Sequence, residues 1–403
     1  MEPQMHRDAA LVLSLFCLVS CGSDDDKDET EEEAEQVGVA ALGGGTHDLD
    51  SVDAQTIAGE DEGLDVPRDL AFNPANPGEL WVVNRTDDSA SIFTDVGTSD
   101  QEHDHRIDPF AMHFMEEVSS ISFGAATYAN SDALTFGTCQ ESRNTYNDDY
   151  PANDFMGPTL WSADLDIFAT TNEEAVEYLT DLFGFYTDLG SHLDMLHESP
   201  LCMGIAWETE NVYWVFDGSD GSLVRYDFAE DHDIGFDDHS DGIIGRVDGI
   251  NIGYVADVPS HMDIDPATGL LYVADTGNNR IIVVDPSTGE RGDTLRKVEP
   301  GTDHHAIVDV EFDSLLIGRE VDGMELPSGL EVVDGHLLVT DHETGMLFAF
   351  ELSGSSVEDA SAELVDWVDT GRAGGIMGVD APSLDEIWFV DAAENELVRL
   401  TAK

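Results

Sequence analysis

Short apolar runs that close on Asp or Asn recur along this chain, each followed by a polar turn and a second apolar run. The copies are Glu79-Leu-Trp-Val-Val-Asn84, Val212-Tyr-Trp-Val-Phe-Asp217, Leu270-Leu-Tyr-Val-Ala-Asp275, His336-Leu-Leu-Val-Thr-Asp341 and Glu386-Ile-Trp-Phe-Val-Asp391. The second runs begin at Ala90, Leu223, Arg280, Met346 and Leu397. Four copies are also preceded by a shorter run, starting at Asp69, Met203, Met262 and Gly329. A divergent copy fits Val118–Phe123 and Ala133–Gly137, so the end markers fall at 84, 137, 217, 275, 341 and 391. Runs of this length, bounded by Gly, Asn, Asp and Ser, predict antiparallel strands joined by tight turns. Six such units, filling the chain from about residue 65 onward, predict a radial arrangement of small sheets. The expected fold class is all-β, a six-bladed β-propeller over residues 46–403.

The unit Pro259–Asp285, with its core Leu-Tyr-Val-Ala-Asp-Thr-Gly-Asn-Asn-Arg-Ile, resembles an NHL repeat. The other units resemble it more loosely, across roughly 330 residues in all. In this frame the Asp that ends each second strand is expected to bond the backbone of its own turn. A ring of these carboxylates around calcium is the alternative. The last unit ends with its third strand, so a strand from the other end of the chain is expected to complete it, with residues 46–54 as the candidate. Closure of this kind removes exposed sheet edges.

Residues 140–199 interrupt the repeat and are expected as an insertion between the second and third blades. Within them Asn172–Phe183 has apolar positions at Val176, Leu179, Leu182 and Phe183 and acids in its first turn. That pattern predicts a capped amphipathic helix, expected to lie across one mouth of the propeller. Insertions of this size in repeat folds commonly sit on the binding face.

Charge narrows the function. The chain of 403 residues carries 86 acidic and 16 basic side chains, a net charge of −70. Nucleic-acid binding is excluded as a class, because affinity for phosphate needs clustered Lys and Arg. An acidic surface stays hydrated in high salt, which suits a marine or halophilic source. No Gly-X-Ser-X-Gly elbow, Walker loop or dinucleotide fingerprint is present, so neither serine-elbow acyl transfer, nucleotide hydrolysis nor hydride transfer is indicated.

The first 20 residues read as a signal peptide, with Arg7 ahead of the apolar run Ala9–Leu18. The run ends in Leu18-Val19-Ser20-Cys21-Gly22, which resembles the lipobox of bacterial lipoproteins. That resemblance implies lipid attachment at Cys21 and an outer-membrane or cell-surface location in a Gram-negative bacterium. Residues 21–45, dominated by Asp and Glu, are expected as a solvated tether.

With Cys17 leaving with the signal and Cys21 carrying lipid, Cys139 and Cys202 remain as a pair that brackets the insertion. In an oxidising compartment they are expected to form a disulfide. Of the 14 His, three precede the first strands of consecutive units: His113, His197 and His261. First strands of a propeller line its axis, so these imidazoles are candidates for one zinc or copper ion. The arrangement is similar to the propeller of peptidylglycine amidating lyases, which implies zinc held by His from separate blades. No match to the catalytic residues of those enzymes is present. His192, His232 and His239 are the next candidates. Asp231, Asp233 and Asp237 lie in an acidic loop resembling a calcium site, without the closing Glu of an EF-hand.

Two functions follow from these readings. The first is a lipid-anchored extracytoplasmic binding module for a protein, peptide or glycan at the envelope. The second is a metal-dependent lyase or hydrolase with its metal, zinc or copper, at the central channel.

Overall fold

Asn84, Asp217, Asp275, Asp341 and Asp391 each end the second strand of a sheet and are almost fully buried. Their side chains hold the turns that follow or adjoin them. Asp217 accepts from the Ser219 amide, Asp391 from those of Ala393 and Glu394, and Asp341 from those of Glu325 and Leu326. Three carry an ion pair as well: Arg246 on Asp217, Arg280 on Asp275 and Arg372 on Asp391. A buried carboxylate so bonded needs no ion, and these residues are turn anchors. The computed structural model describes residues 38–403. The signal peptide, Cys21 and most of the acidic segment lie outside the described residues.

The sheets form a six-bladed β-propeller. Blade 1 is Pro67–Phe72, Leu80–Asn84, Ser89–Thr94 and Glu102–Ile107, from the inner strand outward. Blade 2 is Val118–Phe123, Thr135–Gln140, Thr159–Ser162 and Asp194–Met195. Blade 3 is Cys202–Thr209, Val212–Asp217, Ser222–Asp227 and Ile243–Val247. Blade 4 is Met262–Ile264, Leu271–Asp275, Arg280–Val284 and Phe312–Ile317. Blade 5 is Pro327–Val333, His336–Asp341, Met346–Ser353 and Ser361–Asp369. Blade 6 is Ile376–Ser383, Glu386–Asp391, Glu396–Ala402 and, as its outer strand, Val52–Ala58. A hairpin, Glu290–Thr294 and Asp303–Val308, leaves blade 4 and joins the outer edge of blade 3, with Asp303–Val308 parallel to Ile243–Val247.

The ring closes through Val52–Ala58, which overlaps the expected segment 46–54 only at its end. Leu49–Ser51 instead form a 3-10 turn capped by Asp48. Residues 38–45 of the segment expected as a tether belong to the fold instead. Val39, Ala41 and Leu42 are buried against blades 5 and 6, and the amides of Val39 and Gly45 bond Asp366.

Residues 140–199 do more than interrupt the repeat, since they supply the two outer strands of blade 2. The helix α2 (Glu173–Phe183) is part of the connection between those strands. Asn172 caps it by accepting from the Glu174 amide, and Gly184 ends it in the left-handed region at φ 79°. Ala175 and Leu179 are its buried residues, while Leu182 and Phe183 stay exposed. It packs on the outer flank against the loop 228–242 rather than over the channel mouth, with Asn172 donating to the Ile234 carbonyl.

The core is distributed as one apolar cluster per blade interface, as flat sheets packed face to face require. The Cys139–Cys202 disulfide crosses one such interface, joining the second strand of blade 2 to the inner strand of blade 3. Around the axis, inner-strand carboxylates bond the next blade. Asp69 accepts from the Ile121 amide at 3.0 Å, Asp263 from Val332 at 3.0 Å and Asp380 from Phe72 at 2.7 Å.

A candidate metal centre on the flank of blades 2 and 3

Five of the 14 His gather where the outer edges of blades 2 and 3 meet. His192 and His197 bracket the short outer strand Asp194–Met195 of blade 2. His232 and His239 come from the loop between the last two strands of blade 3. His113 comes from α1 (Ala111–Phe114), a single turn in the connection between blades 1 and 2. Glu299 reaches them from the turn of the hairpin that extends blade 3. Four of the imidazoles are buried and His232 is partly so.

Every Nδ1 in this group is committed to an acceptor. His192 bonds the Leu189 carbonyl at 2.9 Å and His232 the Asp233 carbonyl at 2.7 Å. His197 and His239 share the two oxygens of Glu299, at 3.0 and 2.8 Å. His113 bonds Asn144 Oδ1 at 2.8 Å, and the amide nitrogen of Asn144 is spent on Asn153, which fixes its oxygen toward the ring. Carbonyl and carboxylate oxygens only accept, so each Nδ1 carries the proton and each neutral ring presents Nε2 as a bare lone pair. His192, His232 and His239 have no hydrogen-bond partner at Nε2. Each of the three offers a ligand atom within 4.8 Å of the other two. Their ring centroids stand 4.7, 5.0 and 6.2 Å apart.

The surroundings keep these rings neutral. Burial is the first cause that pulls His113 and His232 down to about 3, with neighbouring imidazoles adding to it. His192 is pulled well below its usual value for the same reasons. His239 is the exception. Burial lowers it, but the bond to Glu299 and the charges of Asp194 and Asp237 outweigh that and raise it. Burial pushes Glu299 up, yet the two imidazole bonds hold it down at about 2. Asp194 is fully buried with neither oxygen hydrogen-bonded, and burial drives its pKa well above the carboxylate range. Phe114 stacks on His192 and Phe155 on His197, each at 3.7 Å between centroids, and both close the group off from water.

Three Nε2 lone pairs, oriented through their Nδ1 bonds, form a donor set suited to zinc or copper. The set opens on a cleft of about 1090 Å³ beside α2, which His232 and Asp237 line together with Tyr178, Leu182, Phe236 and Asp231. One wall is apolar and the other carries carboxylates.

The structure distributes the expected site residues differently from the sequence reading. His113 and His197 do meet, Nε2 to Nε2 at 3.4 Å, but off the axis. His261 stays in the channel, where Nε2 donates to the Ser119 carbonyl at 3.0 Å and Nδ1 faces Asp69 at 3.4 Å. The trio His113, His197 and His261 therefore shares no centre, because the first two follow outer strands while His261 leads into an inner one. Asp231, Asp233 and Asp237 are not collected either. Asp231 accepts from the Asp233 amide, Asp233 from the Tyr128 hydroxyl, and Asp237 lies 3.9 Å from His239 Nε2. Asp194 and Glu299 were not expected. The spacing of Asp194 between His192 and His197 is visible in the sequence, whereas nothing there marks Glu299.

No protein-family model matches the chain, and no curated protein does. Solved structures align with it distantly. A protein of unknown function from Bacteroides thetaiotaomicron aligns at 8% identity and TM-score 0.49, covering 91% of this chain and 75% of that one. The PQQ-bound aldose sugar dehydrogenase of Streptomyces coelicolor aligns at 14% and 0.48, covering 88% and 98%. An auxiliary nutrient binding protein from Bacteroides ovatus aligns at 12% and 0.45, covering 87% and 76%. At such identities the likeness concerns the fold alone.

Proposed function

We propose that this chain is an extracytoplasmic binding protein whose cleft is organised by a transition-metal ion, zinc or copper, on His192, His232 and His239. The observation that carries the reading is the set of three enclosed Nε2 atoms without partners. An orphaned polar atom in a protein interior costs about 1–3 kcal/mol, and one ion would relieve all three at once. Three neutral ligands leave a position open on the ion. Through His232 that position faces the cleft, where a carboxylate or hydroxyl of a peptide or glycan would reach it. The lyase or hydrolase reading is favoured by one feature, the exposed Asp237 carboxylate beside His239, placed to take a proton from a bound water or substrate.

Elemental analysis of protein purified without chelator tests the centre. Zinc or copper is expected at one or more ions per chain, with a loss of at least one in His232→Ala. A metal-free protein that takes up neither ion at micromolar concentration overturns the proposal. Placement at the envelope is supported by the Cys139–Cys202 disulfide, a bond of oxidising compartments, and by the lipobox-like segment ending at Cys21. Cys21→Ser is expected to move the protein from the membrane to the soluble fraction, and unchanged fractionation would remove the anchor from this picture.

A further inference from the structure

The second pair of imidazoles poses its own problem. His113 Nδ1 donates to Asn144 and His197 Nδ1 donates to Glu299, so both Nε2 atoms are lone pairs, and they face each other at 3.4 Å. Two lone pairs at that separation in a buried place repel. Something positive must stand between them, either a proton or a metal ion. The spacing discriminates. Two imidazole nitrogens bound tetrahedrally to zinc, with bonds of about 2.0–2.1 Å, stand about 3.3 Å apart. A direct N–H···N hydrogen bond is normally about 0.4 Å shorter than the observed separation.

We infer that His113 and His197 hold a second transition-metal ion, so that the flank of blades 2 and 3 is a two-metal centre. The inference rests on the reading of His192, His232 and His239 as the first centre. Glu299 belongs to both, because one oxygen orients His197 and the other orients His239. A carboxylate that fixes the rings of two neighbouring ligands is an outer-shell element common to two ions. Asp237 lines the cleft beside the group, 3.9 Å from His239 Nε2. The ions would be close neighbours without sharing a histidine Nε2.

Cobalt titration of the chelator-treated full chain, read by native mass spectrometry and by the visible absorption of bound cobalt(II), decides the matter. The wild type is expected to take two ions per chain. His113→Phe, a ring that fits beside Phe110 and Phe155, is expected to take one, and His232→Ala is expected to take one. A wild type that saturates at a single ion, lost in His232→Ala, overturns the second site and leaves the first standing, the pair then holding a proton. A wild type that takes none overturns both readings. The wild-type count stands without any variant, so a substitution that fails to fold does not remove the test.

Discussion

Asp69, Asp263 and Asp380 around the axis are buried or half-buried, as are the imidazoles on the flank, yet their polar atoms are treated in opposite ways. Each channel carboxylate accepts an amide from the inner strand of the next blade, so its burial is spent on joining blades. On the flank the Nδ1 atoms are bonded, while the Nε2 atoms of His192, His232 and His239 have no partner. The first pattern is how a protein stabilises itself with polar groups. The second leaves polar groups strained in the empty fold and becomes favourable only with a ligand. Enclosure alone therefore does not mark a site, while the hydrogen-bond accounting does. His261 makes the point within one residue type. The sequence places it beside His113 and His197, but its Nε2 is used on the Ser119 carbonyl.

The largest effect is expected where the two regions are tied together. Cys139→Ser with Cys202→Ser opens a loop with a sequence separation of 63 residues, for which chain entropy gives a loss of ~4 kcal/mol. Denaturant unfolding measures it, and a loss under 1 kcal/mol would mean that blades 2 and 3 hold without the bridge. Next comes the contrast itself. Zinc at 100 times its dissociation constant is expected to stabilise the wild type by at least about 2.7 kcal/mol and to stabilise His239→Ala less. Asp380→Ala, which orphans the Phe72 amide, is expected to cost about 1–3 kcal/mol with or without zinc. Equal zinc responses in the wild type and His239→Ala would dissolve the comparison.

The smallest expected effect is in the pH profile, and its sign separates the regions. Burial raises Asp69 to about 8, Asp263 to about 7 and Asp380 to about 6, against about 3.9 in an unfolded chain. The folded state binds these protons more tightly, so their contribution is full below pH 4 and is lost as pH rises through 6 to 8. The lowered His113, His192 and His232 act oppositely, costing stability as pH falls below about 6.5. Above pH 7 the lowered His113, His192 and His232 no longer titrate, while Asp69 still does. Urea melts of metal-free protein between pH 7 and 9 are expected to show falling stability, with a shallower slope in Asp69→Asn. An identical slope in that variant would refute the channel assignment.

Much of the fold was legible because one physical device repeats. An Asp buried at the end of a strand needs a turn amide, and that need is written four times as apolar run, acid, polar turn, with Asn84 in the acid's place in a fifth copy. The second blade was harder. Its second strand ends at Gln140 rather than at an acid, so the marker at 137 fell short. Its outer strands are separated by α2, which hid them inside an apparent insertion. The site was less legible for a reason of topology. Position before a first strand predicts nearness to the axis only if the residue enters the strand directly. His197 follows an outer strand of two residues before the chain crosses to blade 3. Glu299 arrives through a parallel pairing across 60 residues of sequence, which no local pattern records.

Closure of the ring has a consequence in time. Val52 pairs with Ala402 and Thr56 with Val398, so blade 6 joins strands from opposite ends of the described chain. During synthesis the outer strand of that blade is made first and its partner last. Until Glu396–Ala402 has been made, Val52–Ala58 has no strand to pair with. Blades can form one after another as the polypeptide lengthens, but the circle cannot. A chain stopped even a few residues short of Ala402 would hold nearly every blade and still be an open arc, with two sheet edges free to recruit another copy.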